Sequence, residues 1–317
     1  MGNIFYKRCG LLLVAAASFL LLVQCKTGKS GGTDAARTES YGFSFPEIPS
    51  SLTRPEERQT YLMEHYWEEF DFSDSALVFN PQISEQAFAD FVVLLPACPP
   101  STVTIAIARL FKLSGSNMAA FRYFYQLAEK YWYDPNSPVR NEEHFLIALQ
   151  TVVDMPSIPE IEKTRPQRLL ALVARNRPGE AAADFRFNRN GQQTSSLYKT
   201  MADFLILYFN NPGCESCAAS RAGLLTAPSI GQLAEQGRLR ILSLYPDGIP
   251  DPSSIPVTNI PGWIDAYDAE QTILNQNLYD LKAIPTLYLL DKDKKVLLKD
   301  ASVGQIEAYL QGLGSTR

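Results

Sequence analysis

Cys214-Glu215-Ser216-Cys217 lies between a continuous apolar run, Phe204-Leu-Ile-Leu-Tyr-Phe209, and residues 218–236, which have the pattern of a helix. The short apolar run predicts a buried strand. Two cysteines two residues apart at a strand-to-helix junction are arranged for reversible disulfide chemistry. The first thiol would lie at the helix N-terminus, where unpaired N–H groups and the helix dipole favour a thiolate. The second thiol would lie close enough to close the ring.

The same cysteine spacing also occurs in zinc sites, which need a second cysteine pair or histidines to complete the ligand set. The chain has only two histidines, His65 and His144. Both lie far upstream of the cysteine pair and neither has the spacing of a metal ligand. The sequence therefore predicts no metal and no other cofactor.

A second signature lies downstream, where Ala283-Ile284-Pro285-Thr286 opens the apolar run Thr286-Leu-Tyr-Leu-Leu290. Proline is tolerated at the start of a strand. From about Arg177, the order of strand, cysteine pair, helix, strand and Ile-Pro-Thr signature resembles the thioredoxin-like domains of envelope-anchored bacterial proteins, the TlpA/ResA-like group. The resemblance implies an α/β thioredoxin-like domain over residues 177–317, with a central mixed sheet flanked by helices.

The resemblance also implies the roles of the two cysteines. Cys214 would be the attacking thiolate, and Cys217 would resolve the mixed disulfide. The expected partners are periplasmic client proteins and an upstream redox partner. Because thiol–disulfide exchange runs in either direction, the relative reduction potentials would set the direction of flow.

A client groove is expected beside the cysteines. By resemblance, the Ile284–Pro285 peptide bond would be cis and would lie beside Cys214, and Ile284, Pro285 and Thr286 would shape a groove for an extended client. Trp263 follows a loop, residues 246–262, at the end of a strand parallel to the one before the cysteines. Because the carboxyl ends of parallel strands share the ligand side of such a sheet, this loop and Trp263 are expected to rim the site.

Three positions depart from the family pattern. Gly213 stands before the first cysteine, where the family usually has tryptophan, and Ser220 stands where some relatives have glutamate. Tyr208 occupies the strand position where thioredoxin keeps a buried acid that handles protons. The usual proton acceptor is therefore missing, or Glu215 or solvent replaces it.

The chain begins with the pattern of an export signal over residues 1–24. Lys7 and Arg8 form a basic segment, and residues 10–23 form an apolar core too short for a spanning helix. Leu22-Val23-Gln24-Cys25 then resembles a lipobox, with Gln24 in place of the usual small residue. A plain secretory signal with an incidental cysteine is the alternative.

Lipidation is accordingly predicted at Cys25, followed by a flexible tether over residues 25–44 that is rich in serine, threonine, glycine and lysine. Several acyl chains would anchor the protein firmly to a membrane. Because no acidic run follows Cys25, the expected location is the cell envelope, at the outer membrane and facing the periplasm.

The remaining cysteines have no predicted redox role, and the net charge argues against one class of partner. Cys9 would leave with the signal, so Cys98 is the one cysteine without a role; it is either a free thiol in an oxidising compartment or a small buried apolar side chain. The formal net charge of -5 argues against nucleic-acid binding.

Residues 45–176 are predicted to form an all-α helical domain, with apolar residues at three- and four-residue spacing and prolines between the helices. Residues 54–74 resemble an uncharacterised helical domain that precedes thioredoxin-like domains in Gram-negative lipoproteins. The whole chain is thus predicted to be an envelope-anchored thiol–disulfide oxidoreductase. The alternative is a non-catalytic thioredoxin-like binding or scaffold lipoprotein in which the cysteine pair forms a structural disulfide.

Overall fold

We describe the protein from a computed structural model, in which residues 42–189, 192–248 and 258–314 are described. The predicted signal peptide, the lipidation site at Cys25 and most of the predicted tether lie outside these ranges. Within them, no helix combines the length and the apolar character needed to cross a membrane.

The first part of the described chain is helical. Its core is rich in aromatic rings, and Trp67, Phe91 and Phe124 are fully or almost fully buried and pack edge to face. The helices are α1 (Pro55–His65), α2 (Ser75–Val78), α3 (Ser84–Leu94), α4 (Pro100–Ser114), α5 (Met118–Ala128), α6 (Glu142–Asp154) and α7 (Glu160–Val173). A 3₁₀ turn, Leu95–Ala97, follows α3, and a π-helical turn, Glu129–Tyr133, extends α5.

Helix α7 corrects one sequence expectation. Prolines were expected to lie between the helices, yet α7 begins at Glu160 and continues through Pro166. Pro166, Leu169 and Val173 are buried at helical spacing, so packing of this stripe holds the helix although the proline donates no backbone hydrogen bond.

The second part of the chain is an α/β structure built on a mixed sheet. Its described strands run in the order β2-β1-β5-β4-β3-β6-β7, with β3, β4 and β5 parallel and their outer neighbours antiparallel. The strands are β1 (Arg186–Arg189), β2 (Gln192–Ser196), β3 (Phe204–Phe209), β4 (Leu239–Tyr245), β5 (Trp263–Tyr267), β6 (Thr286–Asp291) and β7 (Val296–Leu298). The helices are α8 (Glu215–Thr226), α9 (Pro228–Glu235), α10 (Thr272–Asn275) and α11 (Val303–Gly314). The predicted mixed sheet and the preceding helical region are confirmed.

The central strand β3 is buried on both sides, which explains its continuous apolar sequence. Leu205, Leu207 and Phe209 face one core, while Ile206 and Tyr208 face the core that contains Cys217. This alternation places the second cysteine against the β3 face that carries Tyr208.

The helix predicted over residues 218–236 is two helices. Helix α8 ends at Thr226, Ala227 adopts an extended conformation, and α9 starts at Pro228. The reason is local, because a proline disfavours the helical conformation in the residue before it.

The helical region and the α/β region meet at a cluster of buried charges. Lys282 of the α/β region forms ion pairs with Glu142 of α6 and with Asp280 and Asp300, and Lys299 lies 2.8 Å from the second carboxylate oxygen of Glu142. Burial alone would lower the pKa of Lys282, but these carboxylates raise it above its ordinary value. The ammonium is therefore charged and paired, and the cluster joins the two regions close to the Ile284–Pro285 segment.

Candidate active site

The cysteine pair lies just beyond the carboxyl end of β3, at the start of α8. Gly213, directly before the pair, has a φ of +75°. A side chain is strained in this left-handed region, so the structure accounts for glycine at the position where the family usually has tryptophan. The turn brings Cys214 to the N-cap of α8, where its Sγ accepts the N–H of Cys217 at 3.1 Å.

Cys214 and Cys217 are joined by a disulfide bond, and their surroundings differ. Cys214 is half-buried, whereas Cys217 is only 3% exposed and packs in the core beneath α8. An incoming sulfur can therefore approach Cys214 but not Cys217. In the reduced state, the N–H of Cys217 and the N-terminal end of α8 would favour a thiolate at Cys214.

The proline segment lies against the exposed cysteine. The Ile284–Pro285 peptide bond is cis, as predicted, and the carbonyl oxygen of Ile284 lies 3.8 Å from the Sγ of Cys214. Thr286 begins β6, and its hydroxyl donates to the carbonyl of Ala283 at 2.6 Å. The cysteine pair and the Ile284–Pro285 segment are thus brought into contact, although Cys214 and Ile284 are 70 positions apart in the chain.

A cavity of about 240 Å³ lies beside the disulfide, lined by both cysteines and by Tyr208, Asn210 and Arg221 among others. Tyr208 donates its hydroxyl to the carbonyl oxygen of Cys217 at 2.7 Å. Burial raises the pKa of Tyr208 to about 12, so it stays protonated near neutral pH. Tyr208 therefore occupies the place of the buried acid without supplying a proton acceptor.

Among the described residues that line this cavity, Arg221 is the charged one, and its role was not predicted from the sequence. It lies four residues after Cys217, which places both side chains on the same face of α8. Its guanidinium lies 3.5 Å from the carboxylate of Asp265 and 4.7 Å from the centre of the Trp263 ring. Its spacing from Cys217 on the helix was the signal that could have revealed it.

Trp263 lies further from the cysteines than expected. It starts β5 and pairs with Ile241, at the opposite end of the parallel strands from the cysteines, and it is only 6% exposed. Its indole N–H donates to Asp265 at 2.7 Å. Trp263 lines neither cavity beside the disulfide, and it contacts the site through the guanidinium of Arg221 and the ring of Tyr208, whose centre lies 6.5 Å from its own. Residues 249–257 of the preceding loop lie outside the described ranges.

Glu215 and Ser220 also have defined places. Glu215 is exposed in the first turn of α8 and does not line the cavity beside Tyr208. Ser220 is half-buried and lies on a different face of α8 from Cys217 and Arg221. Among the described residues, no group of three or more histidine, cysteine, aspartate or glutamate side chains is arranged to hold a metal ion.

The chain is similar to solved structures over most of its length. A thioredoxin-like protein from Bacteroides caccae is 42% identical, and the match covers 85% of this chain and 98% of that one, with a TM-score of 0.78. This chain belongs to the same thioredoxin-like family. The shared fold spans the helical region as well as the α/β region, because the match covers far more than the α/β region alone.

Other matches of this thioredoxin-like protein are more partial. The C-terminal domain of an uncharacterized protein from Bacteroides fragilis is 40% identical over 44% of this chain and 99% of that one, with a TM-score of 0.40. A domain of a possible thiol-disulfide isomerase from Cytophaga hutchinsonii is 19% identical over 45% of this chain and 97% of that one, with a TM-score of 0.36.

The helical region corresponds to a separate family model. Residues 23–176 match a domain of unknown function, DUF5106, whose description assigns no activity. A comparison with curated proteins gave no match.

Proposed function

We propose that this protein is a thiol–disulfide oxidoreductase that uses Cys214 and Cys217 as its redox pair. One observation carries the proposal: the two bonded sulfurs differ sharply in access, and the accessible one caps the N-terminus of α8. A disulfide with only a structural role needs neither the helix terminus nor an exposed sulfur.

The proposed exchange balances without any cofactor. In the reducing direction, the Cys214 thiolate attacks one sulfur of a client disulfide, and the other client sulfur leaves as a thiolate. The Cys217 thiolate then attacks the Sγ of Cys214 and expels the second client thiolate. The client gains two electrons, and the protein is left with the Cys214–Cys217 disulfide. A dithiol donor would restore the reduced pair, and the reverse sequence would oxidise a client dithiol.

The groove proposed for the client lies along Ile284, Pro285 and Thr286. Ile284 has its carbonyl oxygen beside the Cys214 sulfur, so a client segment lying along this loop would carry its own sulfur to the attacking atom. An extended segment satisfies its backbone groups by pairing with exposed backbone, and this pairing needs no particular client sequence.

We place this activity in the cell envelope. The basic segment, short apolar core and lipobox-like Leu22-Val23-Gln24-Cys25 support cleavage before Cys25 and lipidation of that residue. The protein would then be tethered to the outer membrane and face the periplasm, where disulfides persist. Mass spectrometry of the membrane-extracted protein tests this placement, because an unmodified N-terminus elsewhere in a fully soluble protein would contradict it.

A binding or scaffold function is the second candidate, and the environment of Cys217 favours it. Within the described residues, the cavity beside the disulfide contains no carboxylate, and Tyr208 stays protonated. A site without a proton acceptor can still exchange disulfides if solvent takes the proton, but it can also be a retained structural disulfide.

A redox titration of the purified protein separates the two functions. An oxidoreductase should have a reduction potential within the range of exchange proteins, from about -270 to about -120 mV. A potential below about -300 mV is typical of structural disulfides and would favour the scaffold function.

A further inference from the structure

A second cavity, of about 320 Å³, lies beside the redox pair on the side of the proline segment. Its walls include Ser216 and Ser220 of α8, together with Ile284 and Pro285. Ser216 and Ser220 lie one helical turn apart on a face of α8 that differs from the face carrying Cys217 and Arg221. This cavity is therefore separate from the one beside Tyr208. It adjoins the attacking sulfur, because Ile284 lines it and contacts Cys214.

The helical region supplies one wall of this second cavity. Pro135, Asn136 and Arg140 line it, and all three belong to the loop between the π-helical turn after α5 and helix α6. We call residues 135–140 the wall loop. A volume of this size is at the lower end of ligand pockets, which suits one or two side chains of a peptide.

Buried contacts hold the wall loop against the α/β region. On one side of the loop, the Tyr133 hydroxyl donates to Asp280 at 3.3 Å. Within it, Arg140 donates to the backbone carbonyl of Asp300, and on the other side Glu142 pairs with Lys282. Contacts on both flanks fix the wall before any client arrives, which lowers the ordering cost of binding.

The charge that a ligand would meet in this cavity is that of Arg140. Its side chain is 25% exposed, whereas those of Lys282 and Asp300 are only 9% and 7% exposed and are committed to the buried cluster. A guanidinium has five N–H donors, and Arg140 directs only part of them to Asp300, whose carboxylate lies 3.6 Å away. Donors remain for a carboxylate on a client.

We propose that the wall loop is part of the client groove and that Arg140 selects client segments with an acidic side chain near the reacting cysteine. This inference rests on the proposed function, because it assigns a specificity to the same site. In an extended segment, alternate side chains point to the same side and successive residues advance about 3.3 Å. Residues close to the client cysteine therefore reach a cavity that begins at Ile284.

The test uses short peptides that carry one cysteine as a mixed disulfide with a coloured leaving group. A single aspartate is moved from one position to the next along an otherwise neutral peptide, with asparagine at the same position as the matched control. The reduced protein attacks the peptide sulfur, and the coloured thiolate is followed by stopped-flow absorbance. At one or two positions, aspartate should accelerate the reaction by roughly threefold to fivefold over asparagine, and added salt should reduce the difference.

Two variants assign the preference to the wall loop. Arg140→Gln should abolish the aspartate preference. Asn136→Glu should also abolish it, because the new carboxylate would line the same cavity and offset the charge of Arg140. Asn136 is exposed, and its backbone N–H and its side-chain amide both donate to Asp134 in its own turn, so this variant leaves the buried cluster intact. The control is Arg168→Gln, because Arg168 is an exposed arginine of α7 that lines a different cavity. This variant should keep the preference of the unmodified protein.

Reduction of a small neutral disulfide, hydroxyethyl disulfide, separates failure of the inference from failure of the function. If the protein reduces it but shows no aspartate preference, or if the preference survives in both Arg140→Gln and Asn136→Glu, the inference is overturned while the proposed function stands. If hydroxyethyl disulfide and every peptide fail to react, the proposed function itself is overturned, and the inference with it.

Discussion

The helical region and the α/β region each contain a half-buried cysteine next to a helix end, but the sulfur of Cys98 faces the C-terminal end of α3 and the sulfur of Cys214 faces the N-terminal end of α8. Cys98 follows the 3₁₀ turn after α3, and its sulfur faces the carbonyl oxygen of Leu94 at 3.6 Å and the amide of Gln59 at 3.7 Å. Burial raises the pKa of the Cys98 thiol, an effect that Gln59 only partly offsets. Cys214 instead caps the N-terminus of α8 and accepts an N–H.

The contrast shows that half-burial alone does not make a cysteine reactive. Both sulfurs lie near a carbonyl oxygen, but the one beside Cys98 belongs to the C-terminal end of a helix, where the helix dipole disfavours a thiolate. The N–H groups at the start of α8 instead favour a thiolate at Cys214. Cys98 is thus suited to remain a thiol, and Cys214 is suited to attack.

Substitution of the two cysteines should have very different consequences for exchange. Cys214→Ser should reduce the rate of disulfide exchange to that of the uncatalysed reaction, because the attacking sulfur is removed. Cys98→Ser should leave the rate unchanged. The rate at which each variant reduces hydroxyethyl disulfide tests this prediction. A large loss of rate in Cys98→Ser would show that the reactive thiol lies in the helical region.

Alkylation should distinguish the two thiols in the reduced protein. With iodoacetamide near neutral pH, Cys214 should react about tenfold faster than Cys98 or more, because a larger thiolate fraction outweighs its lower intrinsic nucleophilicity. The rate at Cys98 should keep rising into the alkaline range, because its raised pKa delays ionisation. Peptide mass spectrometry gives both alkylation rates from one sample. Equal rates near neutral pH would contradict the claim that Cys214 is more reactive than Cys98.

Arg221 should add to the difference in reactivity between Cys214 and Cys98, but by less than the features above. Its positive charge lines the cavity with both cysteines, so Arg221→Gln should shift the pH dependence of exchange upward and slow the reaction about threefold to tenfold near neutral pH. Arg221→Lys keeps the charge and should retain most of the rate. Alkylation of Cys98 is the internal control and should not change. A pH profile that is identical in Arg221→Gln and the unmodified protein would exclude this electrostatic role.

The parts of the site that were predictable depend on short stretches of chain. The cysteine pair at the end of β3 and the cis Ile284–Pro285 bond each follow from a few adjacent residues in a recognisable order. The break of the helix after Thr226 had a local signal, Pro228, which the helical pattern on both sides concealed. The continuation of α7 through Pro166 depends on burial in the aromatic core, which no local rule states.

The parts that were missed depend on contacts between distant residues. Arg140 and Asp300 are 160 positions apart in the chain, yet their contact helps to form the wall of the second cavity. Nothing in the composition of residues 135–140 distinguishes that loop from an ordinary surface turn. Arg221 had a local signal, its spacing from Cys217, but its significance depends on its lining the same cavity as Tyr208 and both cysteines.

The central claim is that Cys214 attacks and Cys217 resolves, and trapping in cells tests it most directly. Cys217→Ser should leave the attack intact and block resolution, so covalent mixed disulfides with envelope proteins should accumulate and dissolve when reductant is added. Cys214→Ser should trap nothing, because the remaining sulfur is buried. If neither variant traps a partner, or if both trap partners equally, the catalytic assignment is contradicted.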